Sequence, residues 1–279
     1  MRLTKAVAGI GLTVFFLCLA FGCTPSPGAE NKEYTVLAAE DFAMWSALSS
    51  YQDASAPKNA TVVFNGETYT GQYLRSYCLP PNTYVSHKYK GDHVYFDINA
   101  DTGELAFISF PHEYAWNETK EEPACRQTAD GIAQKYISLD EYQVSVQART
   151  VNQNNHSYLY TYYKEISGYK TSDALTIAVD GNGTIGNCGF LMLGAFQNKT
   201  DVVIDEGKAK EAVEKKIKAL YASHLDSLTF DVHNKQLTKL DKGELAVLYT
   251  IDVSYTMKEP EQTYELQSGD EIFLVLRLT

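Results

Sequence analysis

Residues 92–105 read Asp92-His-Val-Tyr-Phe-Asp-Ile-Asn-Ala-Asp-Thr-Gly-Glu-Leu105, and residues 173–185 repeat the pattern as Asp173-Ala-Leu-Thr-Ile-Ala-Val-Asp-Gly-Asn-Gly-Thr-Ile185. Both segments alternate apolar and polar side chains and then reach a turn rich in Asp, Asn and Gly. The alternation places apolar residues on one face of each first strand, namely Val94, Phe96, Ile98, Leu175, Ile177 and Val179. Because a period of two around a Gly-containing turn is typical of a β-hairpin, the sequence predicts a hairpin in each segment.

Two segments with helical periodicity precede runs of strand-like sequence. Residues 123–139 and 205–225 each repeat apolar residues at the i, i+3, i+4 spacing of one buried helix face. A weaker pattern predicts a third helix over residues 38–51. Several strands are predicted after each of the first two helices, and Asn65-Gly66 between two β-rich stretches predicts a further hairpin.

The repeated order of helix and strands predicts an α+β fold of tandem units, each with one helix against an antiparallel sheet of three or four strands. The first unit is predicted at residues 37–121 and contains the extra hairpin. The second is predicted at residues 122–199 and the third at residues 200–279. The third unit ends directly after its last strand, so the pattern leaves its completeness open.

The first residues have the features of a secretory signal. Met1-Arg-Leu-Thr-Lys5 is basic, residues 6–21 are apolar and uncharged, and the small residue Gly22 follows. This order is typical of a signal peptide, here residues 1–22. The apolar run is shorter than the roughly 20 residues that a membrane span needs.

The segment Leu19-Ala-Phe-Gly-Cys23 resembles the lipobox of bacterial lipoproteins. The resemblance implies that the Cys23 thiol receives a diacylglycerol and that the chain is cut just before it. Residues 24–33 are small, polar and Pro-containing, so residues 23–36 are then predicted to be a lipidated tether on the outer face of the cell membrane. An ordinary signal peptide, with Cys23 merely nearby, is the alternative interpretation.

The charge of the chain narrows the choice of partners. The formal net charge is −11, and removing the two positive charges of Arg2 and Lys5 with the signal makes it −13. An acidic surface argues against nucleic acid and against electrostatic docking on anionic lipid. We therefore expect membrane contact through the N-terminal lipid and no binding of nucleic acid.

Three cysteines, Cys78, Cys125 and Cys188, remain once the signal and Cys23 are set aside. They form no Cys-x-x-Cys pair, so the sequence suggests neither a redox motif nor a zinc site. One disulfide with one thiol, or three thiols, are both compatible with the odd number. If a disulfide forms, we expect it between Cys78 and Cys125.

Motifs of known catalytic sites do not occur in the sequence. It has no His-Glu-x-x-His, nucleophile elbow, phosphate loop or dinucleotide fingerprint. Asp180-Gly-Asn-Gly-Thr184 alternates oxygen-bearing side chains as a calcium loop does, but the loop glycine and the twelfth, acidic residue are missing. We predict a simple hairpin turn there, and no catalytic residue, metal or cofactor in the chain.

The most distinctive stretch is Tyr158-Leu-Tyr-Thr-Tyr-Tyr163. In a strand, Tyr158, Tyr160 and Tyr162 share one face. This face either packs on the helix predicted over residues 123–139, or forms an exposed aromatic row that binds a glycan or an extended peptide. A peptide can also be bound by addition to an open sheet edge.

Residues 95–105 are similar to the strand–Thr-Gly–strand signature of PepSY-like domains, which occur in Gram-positive cell-envelope lipoproteins and spore-germination proteins. The aromatic strand at residues 158–169, its continuation at residues 174–185 and the Ala-rich helix before each sheet extend the resemblance over most of residues 38–279. The resemblance implies a cystatin-like fold, in which an antiparallel sheet wraps one helix. It also implies a non-catalytic role, since such domains occur in propeptides that restrain secreted peptidases.

These features predict a non-catalytic cell-envelope lipoprotein that acts as a binding or regulatory module, either restraining a peptidase or binding an envelope polymer. One alternative is a structural or assembly lipoprotein that partners a membrane protein complex, and another is an unrecognised extracytoplasmic hydrolase. A binding module needs a cleft or sheet edge, and an assembly protein a contiguous apolar patch. A hydrolase needs polar groups that converge in a concave pocket.

Overall fold

The computed structural model describes residues 33–42, 50–78, 84–111, 120–152, 155–240, 243–257 and 266–278. Tyr34–Thr279 form one compact unit, the second of two along the chain. The predicted signal peptide and most of the tether, with Cys23, lie outside the described residues. In the part of the chain that is described, no helix combines the length and apolar character needed to cross a membrane.

One sheet of thirteen strands dominates the second unit. The strands are β1 (Thr35–Ala38), β2 (Asn59–Phe64), β3 (Glu67–Tyr77), β4 (Ser86–Gly91), β5 (Val94–Asn99), β6 (Leu105–Ser109), β7 (Gln143–Asn152), β8 (Asn155–Ile166), β9 (Tyr169–Asp180), β10 (Ile185–Leu191), β11 (Thr229–Lys239), β12 (Leu245–Met257) and β13 (Leu266–Arg277). Two α-helices lie among the described residues, α1 (Glu122–Ala133) and α2 (Glu206–Leu220). Hydrogen-bonded neighbours follow the order β1-β13-β12-β11-β9-β10-β6-β5-β4-β3-β2, and β8, which carries β7, also pairs with β9.

The predicted tandem cystatin-like units, each with one helix against a small separate sheet, are wrong. Strand β9 pairs with β8 along one edge, while its other edge pairs with β11 at Lys170 and Thr171 and with β10 at residues 174–179. The β9–β11 pairing is parallel, so a single mixed sheet runs through the whole unit. Alternation in the sequence shows which side chains share a face, but it does not show which strand lies at each edge.

The two stronger helix predictions are confirmed, with shorter helices than the sequence suggests. Pro123 lies in the first turn of α1, where a missing N–H costs nothing. Asp205 caps α2 by accepting a hydrogen bond from the Lys208 N–H at 3.1 Å. The weaker helix predicted over residues 38–51 is wrong where it is described, since Ala38 ends β1 and Ala39–Asp41 form a 3-10 turn; residues 43–49 lie outside the described residues.

The three predicted hairpins are confirmed. β5 pairs with β6 and β9 with β10, both antiparallel, across the two repeated turns. Asn65 and Gly66 have φ angles of 55° and 88°, the left-handed pair that a two-residue turn between β2 and β3 requires. The five residues Asp180–Thr184 form a turn, closed by a hydrogen bond from the Gly183 N–H to the Asp180 carbonyl at 2.7 Å.

A hydrophobic core lies under each helix. The first is formed by Cys125, Ala129 and Ala133 of α1 against the buried faces of β5, β8, β9 and β10, and it includes Val94, Phe96, Leu175, Ile177 and Val179 with Ile98 at its margin. The second is formed by Ala209, Val213 and Ile217 of α2 against β11, β12 and β13. We call the parts of the unit around these cores the α1 half and the α2 half.

A buried carboxylate lies where the two halves join. Asp173, fully buried in β9, accepts hydrogen bonds from the Tyr142 hydroxyl at 2.6 Å and from the backbone N–H groups of Gly194 at 3.0 Å and Phe196 at 3.2 Å. The Phe196 side chain is buried in the second core. Asp173 therefore ties the strand shared by both halves to the segment that leads into the α2 half.

Candidate binding cleft at the open edge of β11

Most of strand β11 has one edge that no described strand covers. On one side the strand pairs with β12 along its whole length. On the other side β9 pairs only with Gln236 and Leu237. Residues 229–235, which we call the β11 edge, therefore present outward backbone N–H and C=O groups that have no partner strand within the described chain.

A cleft of about 450 Å³ lies beside the β11 edge and under one end of α2. We call it the α2–β11 cleft. Its apolar residues are Val213, Phe230, Val232 and Tyr249, and the charged residues and glycine around them are Glu206, Gly207, Lys210, Glu214 and Lys235. Val213 and Tyr249 are buried, while Phe230 and Val232 are half-buried and open to the cleft. The volume lies within the range of about 300–1,000 Å³ that is usual for ligand sites.

Helical and strand periodicities bring these residues together. The α2 residues of the cleft recur at a spacing that keeps them on one helix face, and Phe230 and Val232, two apart in β11, share a strand face. A register shift between Val232 and Asn234 then moves the alternation by one, so Lys235 rather than Asn234 lines the cleft. Gly207 leaves room at the start of α2, where an added Cβ would meet only the Asp205 Oδ1 atom, at 3.4 Å.

Charges around the cleft are balanced in pairs. The Lys235 Nζ atom lies 2.9 Å from a Glu206 carboxylate oxygen, and the Lys210 Nζ atom lies 3.8 Å from one of Glu214. The same Lys235 Nζ atom is 5.8 Å from the centre of the Tyr249 ring. Burial, with Glu206 nearby, raises the pKa of the Tyr249 hydroxyl to about 12. The cleft thus offers apolar surface between paired charges, with a neutral phenol at neutral pH.

The opposite face of β11 is acidic. Asp231 lies directly opposite Asp252 of β12, which lies directly opposite Glu271 of β13. We call these three exposed side chains the carboxylate row. The His233 ring lies above the row, with Nδ1 3.3 Å from Asp252 and Nε2 3.7 Å from Glu271.

Three side chains here have the spacing of metal ligands. Donor atoms of His233, Asp252 and Glu271 lie within 4.8 Å of one another. One imidazole and two carboxylates would supply three of the four ligands of a tetrahedral zinc ion. All three side chains are exposed, and exposed acidic groups are common without a metal, so the prediction that the chain has no metal site stays a prediction.

The structure places the predicted tyrosine row under α1. Tyr160 and Tyr162 are 0% and 1% exposed, and Tyr158 is half-buried beside them. The Tyr160 hydroxyl donates to the Glu122 carbonyl at 3.1 Å, and the Tyr162 hydroxyl donates to Asp130 at 2.6 Å. Burial raises the pKa of both hydroxyls. Of the two alternatives that the sequence left open, the structure therefore has the one in which the row packs on the helix. Tyr160 and Tyr162 offer no exposed aromatic surface.

The cysteines lie in two different clusters. Cys125 and Cys188 are buried in the first core, and Cys78 packs with Ala246, Leu248 and Val275 on the other face of β12 and β13. Cys78 and Cys125 thus pack in different clusters, and the expectation that a disulfide, if one forms, joins them stays a prediction. Burial raises the pKa of the Cys188 thiol to about 12 and also raises that of Cys125, which lowers the nucleophilic character of both at neutral pH.

Sequence reasoning missed the α2–β11 cleft and the carboxylate row. The stretch Thr229-Phe-Asp-Val-His alternates polar and apolar residues, which predicts a strand with two different faces but not an uncovered edge. The sequence does contain one signal, Gly207 in the first turn of α2. Because Gly stabilises a helix less than most other residues do, a glycine at this position suggests that the backbone needs space beside it.

Comparisons with known proteins give little further information. No family model matches the chain, and no curated protein matches it either. One solved structure, the C-terminal domain of YpeB from Bacillus megaterium, aligns with 78% of this chain and 91% of its own length, with 10% sequence identity and a TM-score of 0.32. A TM-score this low carries no conclusion about the fold or function of the chain.

Proposed function

We propose that this protein is a non-catalytic binding module that holds an extended segment of another polypeptide at the β11 edge. The observation that carries the proposal is that the α2–β11 cleft lies directly beside backbone groups that no described strand uses. An added strand gains affinity from backbone hydrogen bonds to such an edge, and pockets for its alternate side chains give specificity.

The spacing of the cleft residues suits a strand. Side chains on one face of an extended chain recur at every second residue. Phe230 and Val232 are two residues apart and both open to the cleft, so consecutive apolar side chains on the same face of an added strand would meet apolar surface. The paired lysines and glutamates at the rim would flank these side chains without placing an uncompensated charge against them.

The chemistry of the cleft supports binding rather than hydrolysis. Hydrolysis requires a nucleophile with its base, or an acid–base pair with separated pKa values, in a concave site. The nine residues that line the cleft include no serine, cysteine or histidine, and both of its glutamates are in ion pairs with lysine. The raised pKa of Tyr249 makes its hydroxyl a poorer acid than a free tyrosine.

The location of this module remains a prediction from the N-terminal sequence. A lipid on Cys23 would hold it at the outer face of the cell membrane, where an envelope protein, either a peptidase or a membrane complex, would supply the extended segment. Replacing Cys23 with Ser is expected to move the protein from the membrane fraction to the soluble fraction of lysed cells. Retention of a processed Cys23→Ser protein in the membrane fraction would contradict the anchoring.

The binding site is tested by a matched pair of glycine substitutions. Random dodecapeptides displayed on phage are selected on the purified full-length chain, and the enriched peptides are synthesised and titrated by fluorescence anisotropy. Gly207→Phe places a large ring at the cleft, while Gly131→Phe places the same ring on the exposed, open face of α1. Both changes replace a helical glycine with a better helix former, so neither is expected to lower the melting temperature.

We expect Gly207→Phe to weaken peptide binding at least about tenfold, because the ring occupies the space of a buried peptide side chain. Gly131→Phe is expected to bind like the native chain. Circular dichroism melting of both variants checks that they fold. Equal binding by the two variants, or no enrichment of any peptide over an empty surface, would refute the proposed site.

A further inference from the structure

The carboxylate row on the other face of the β11 edge brings three negative charges close together on neighbouring strands. Like charges directly opposite one another on neighbouring strands repel. Within the described chain, no lysine or arginine forms an ion pair with Asp231, Asp252 or Glu271, and the His233 ring lies beside Asp252 and Glu271.

Asp231 is the member of the carboxylate row that lies on the uncovered β11 edge. Asp231 belongs to β11 itself, so the next position beyond it in the row belongs to whatever strand pairs with the β11 edge. Directly opposite residues on paired strands point to the same side of the sheet. A side chain opposite Asp231 would therefore lie on the acidic face, and its neighbours in sequence would lie on the face of the cleft.

We infer that the segment bound at the β11 edge places a lysine or arginine directly opposite Asp231, between two apolar residues that enter the α2–β11 cleft. The inference rests on the proposed function and specifies its ligand, an extended peptide in which apolar and basic residues alternate. The two faces of one strand select the two kinds of side chain: Phe230 and Val232 select apolar groups, and Asp231 selects a cation. Such complementarity fixes the register of the added strand and speeds its association.

A charge-swap experiment tests the inference. Two fluorescein-labelled heptapeptides, Thr-Thr-Val-Lys-Val-Thr-Thr and Thr-Thr-Val-Glu-Val-Thr-Thr, are titrated against the full-length chain by anisotropy, in buffer with EDTA so that no metal ion masks the carboxylates. The Lys peptide is expected to bind roughly fivefold more tightly than the Glu peptide, and salt is expected to reduce the difference. Asp231→Lys is expected to reverse the preference, while Asp101→Lys, an equal charge change at an exposed turn of the α1 half, is expected to keep it.

The outcomes separate this inference from the proposed function. A preference for Lys that Asp231→Lys reverses supports the inference. Equal binding of the two peptides, or a preference that Asp231→Lys does not change, overturns it; the proposed function then still stands if Gly207→Phe weakens binding. If neither heptapeptide binds, the peptides enriched by phage selection provide the test. The relevant ones are those whose binding is weakened by Gly207→Phe. Alternating apolar and basic residues in these peptides support the inference, and any other pattern overturns it. If no selected peptide is sensitive to Gly207→Phe, both proposals fail.

Discussion

The two helices lie on the same sheet but produce different surfaces. Helix α1 packs on β8 and β9, which have partner strands on both sides, and the first core closes beneath it. Helix α2 packs on β13 and β1, which lie two and three positions from β11 in the sheet order, and leaves a gap where β11 loses its outer partner. A helix over fully paired strands thus gives a closed core, while a helix beside an uncovered edge gives a cleft with free backbone groups.

The largest effect is expected where the halves join. Asp173→Ala removes three hydrogen bonds in a fully buried site, two of them from backbone N–H groups that then lack a partner. We expect the free energy of unfolding, measured with urea, to fall by about 3 kcal/mol. Asp101→Ala, at an exposed turn, is expected to change it by less than about 0.5 kcal/mol. An equally small loss for both variants would show that the halves are held together without Asp173.

A matched pair of tyrosines compares the closed core with the cleft. The Tyr162 hydroxyl donates to Asp130, whereas the Tyr249 hydroxyl has no hydrogen-bond partner among the described residues. Tyr162→Phe is expected to lower the free energy of unfolding by about 1.5 kcal/mol, and Tyr249→Phe by less than about 0.5 kcal/mol. The same urea titrations measure both, and a larger loss for Tyr249→Phe would reverse this comparison of the two regions.

A buried carboxylate, Asp97, makes the stability of the α1 half depend on pH. Asp97 accepts a hydrogen bond from the Tyr77 hydroxyl at 2.5 Å, but its Oδ1 atom is buried with no partner among the described residues. Burial raises the pKa of Asp97 above its ordinary value of 3.8, although Tyr77 opposes this shift. The folded chain therefore holds this proton more tightly than the unfolded chain, and the contribution to stability falls as the pH rises from 3.8 through the raised pKa.

Asp97→Asn removes this titration. The free energy of unfolding of Asp97→Asn minus that of the native chain is therefore expected to be larger at about pH 7 than at about pH 3.5. Urea unfolding of both proteins at the two pH values measures this difference. Asp92→Asn, a highly exposed carboxylate near the same hairpin, serves as the control and is expected to show a smaller change. A relative stability of Asp97→Asn that is the same at both pH values would contradict the assignment.

Local features of the fold could be predicted from the sequence, whereas the candidate site could not. Alternation at residues 94–98 and the Asn65-Gly66 turn act over a few residues, so the hairpins follow from local chemistry. The parallel pairing of Gln236 with Lys170 joins residues far apart in the sequence, and no local pattern specifies it. The register shift after Val232 likewise decides that Lys235 lines the cleft, although strict alternation would have chosen Asn234.

The smallest effect is expected at the rim of the cleft. The Lys235–Glu206 pair is about half exposed, with side-chain exposures of 41% and 54%. Because solvent screens such pairs, Lys235→Met is expected to change the free energy of unfolding by less than about 0.5 kcal/mol, with Lys210→Met as the comparison at the second pair. A loss above about 1 kcal/mol for Lys235→Met alone would mean that this pair holds α2 against β11.

Hydrogen exchange of the backbone tests the central claim most directly. The amides of residues 229–235 are followed by mass spectrometry with and without a selected peptide at saturating concentration, and β2, the strand at the far end of the sheet order, provides the internal comparison. The proposed binding mode predicts slower exchange at the β11 edge and no change in β2, because an added strand takes up the free backbone groups of β11. Protection confined to other strands, or binding without protection at residues 229–235, would contradict it.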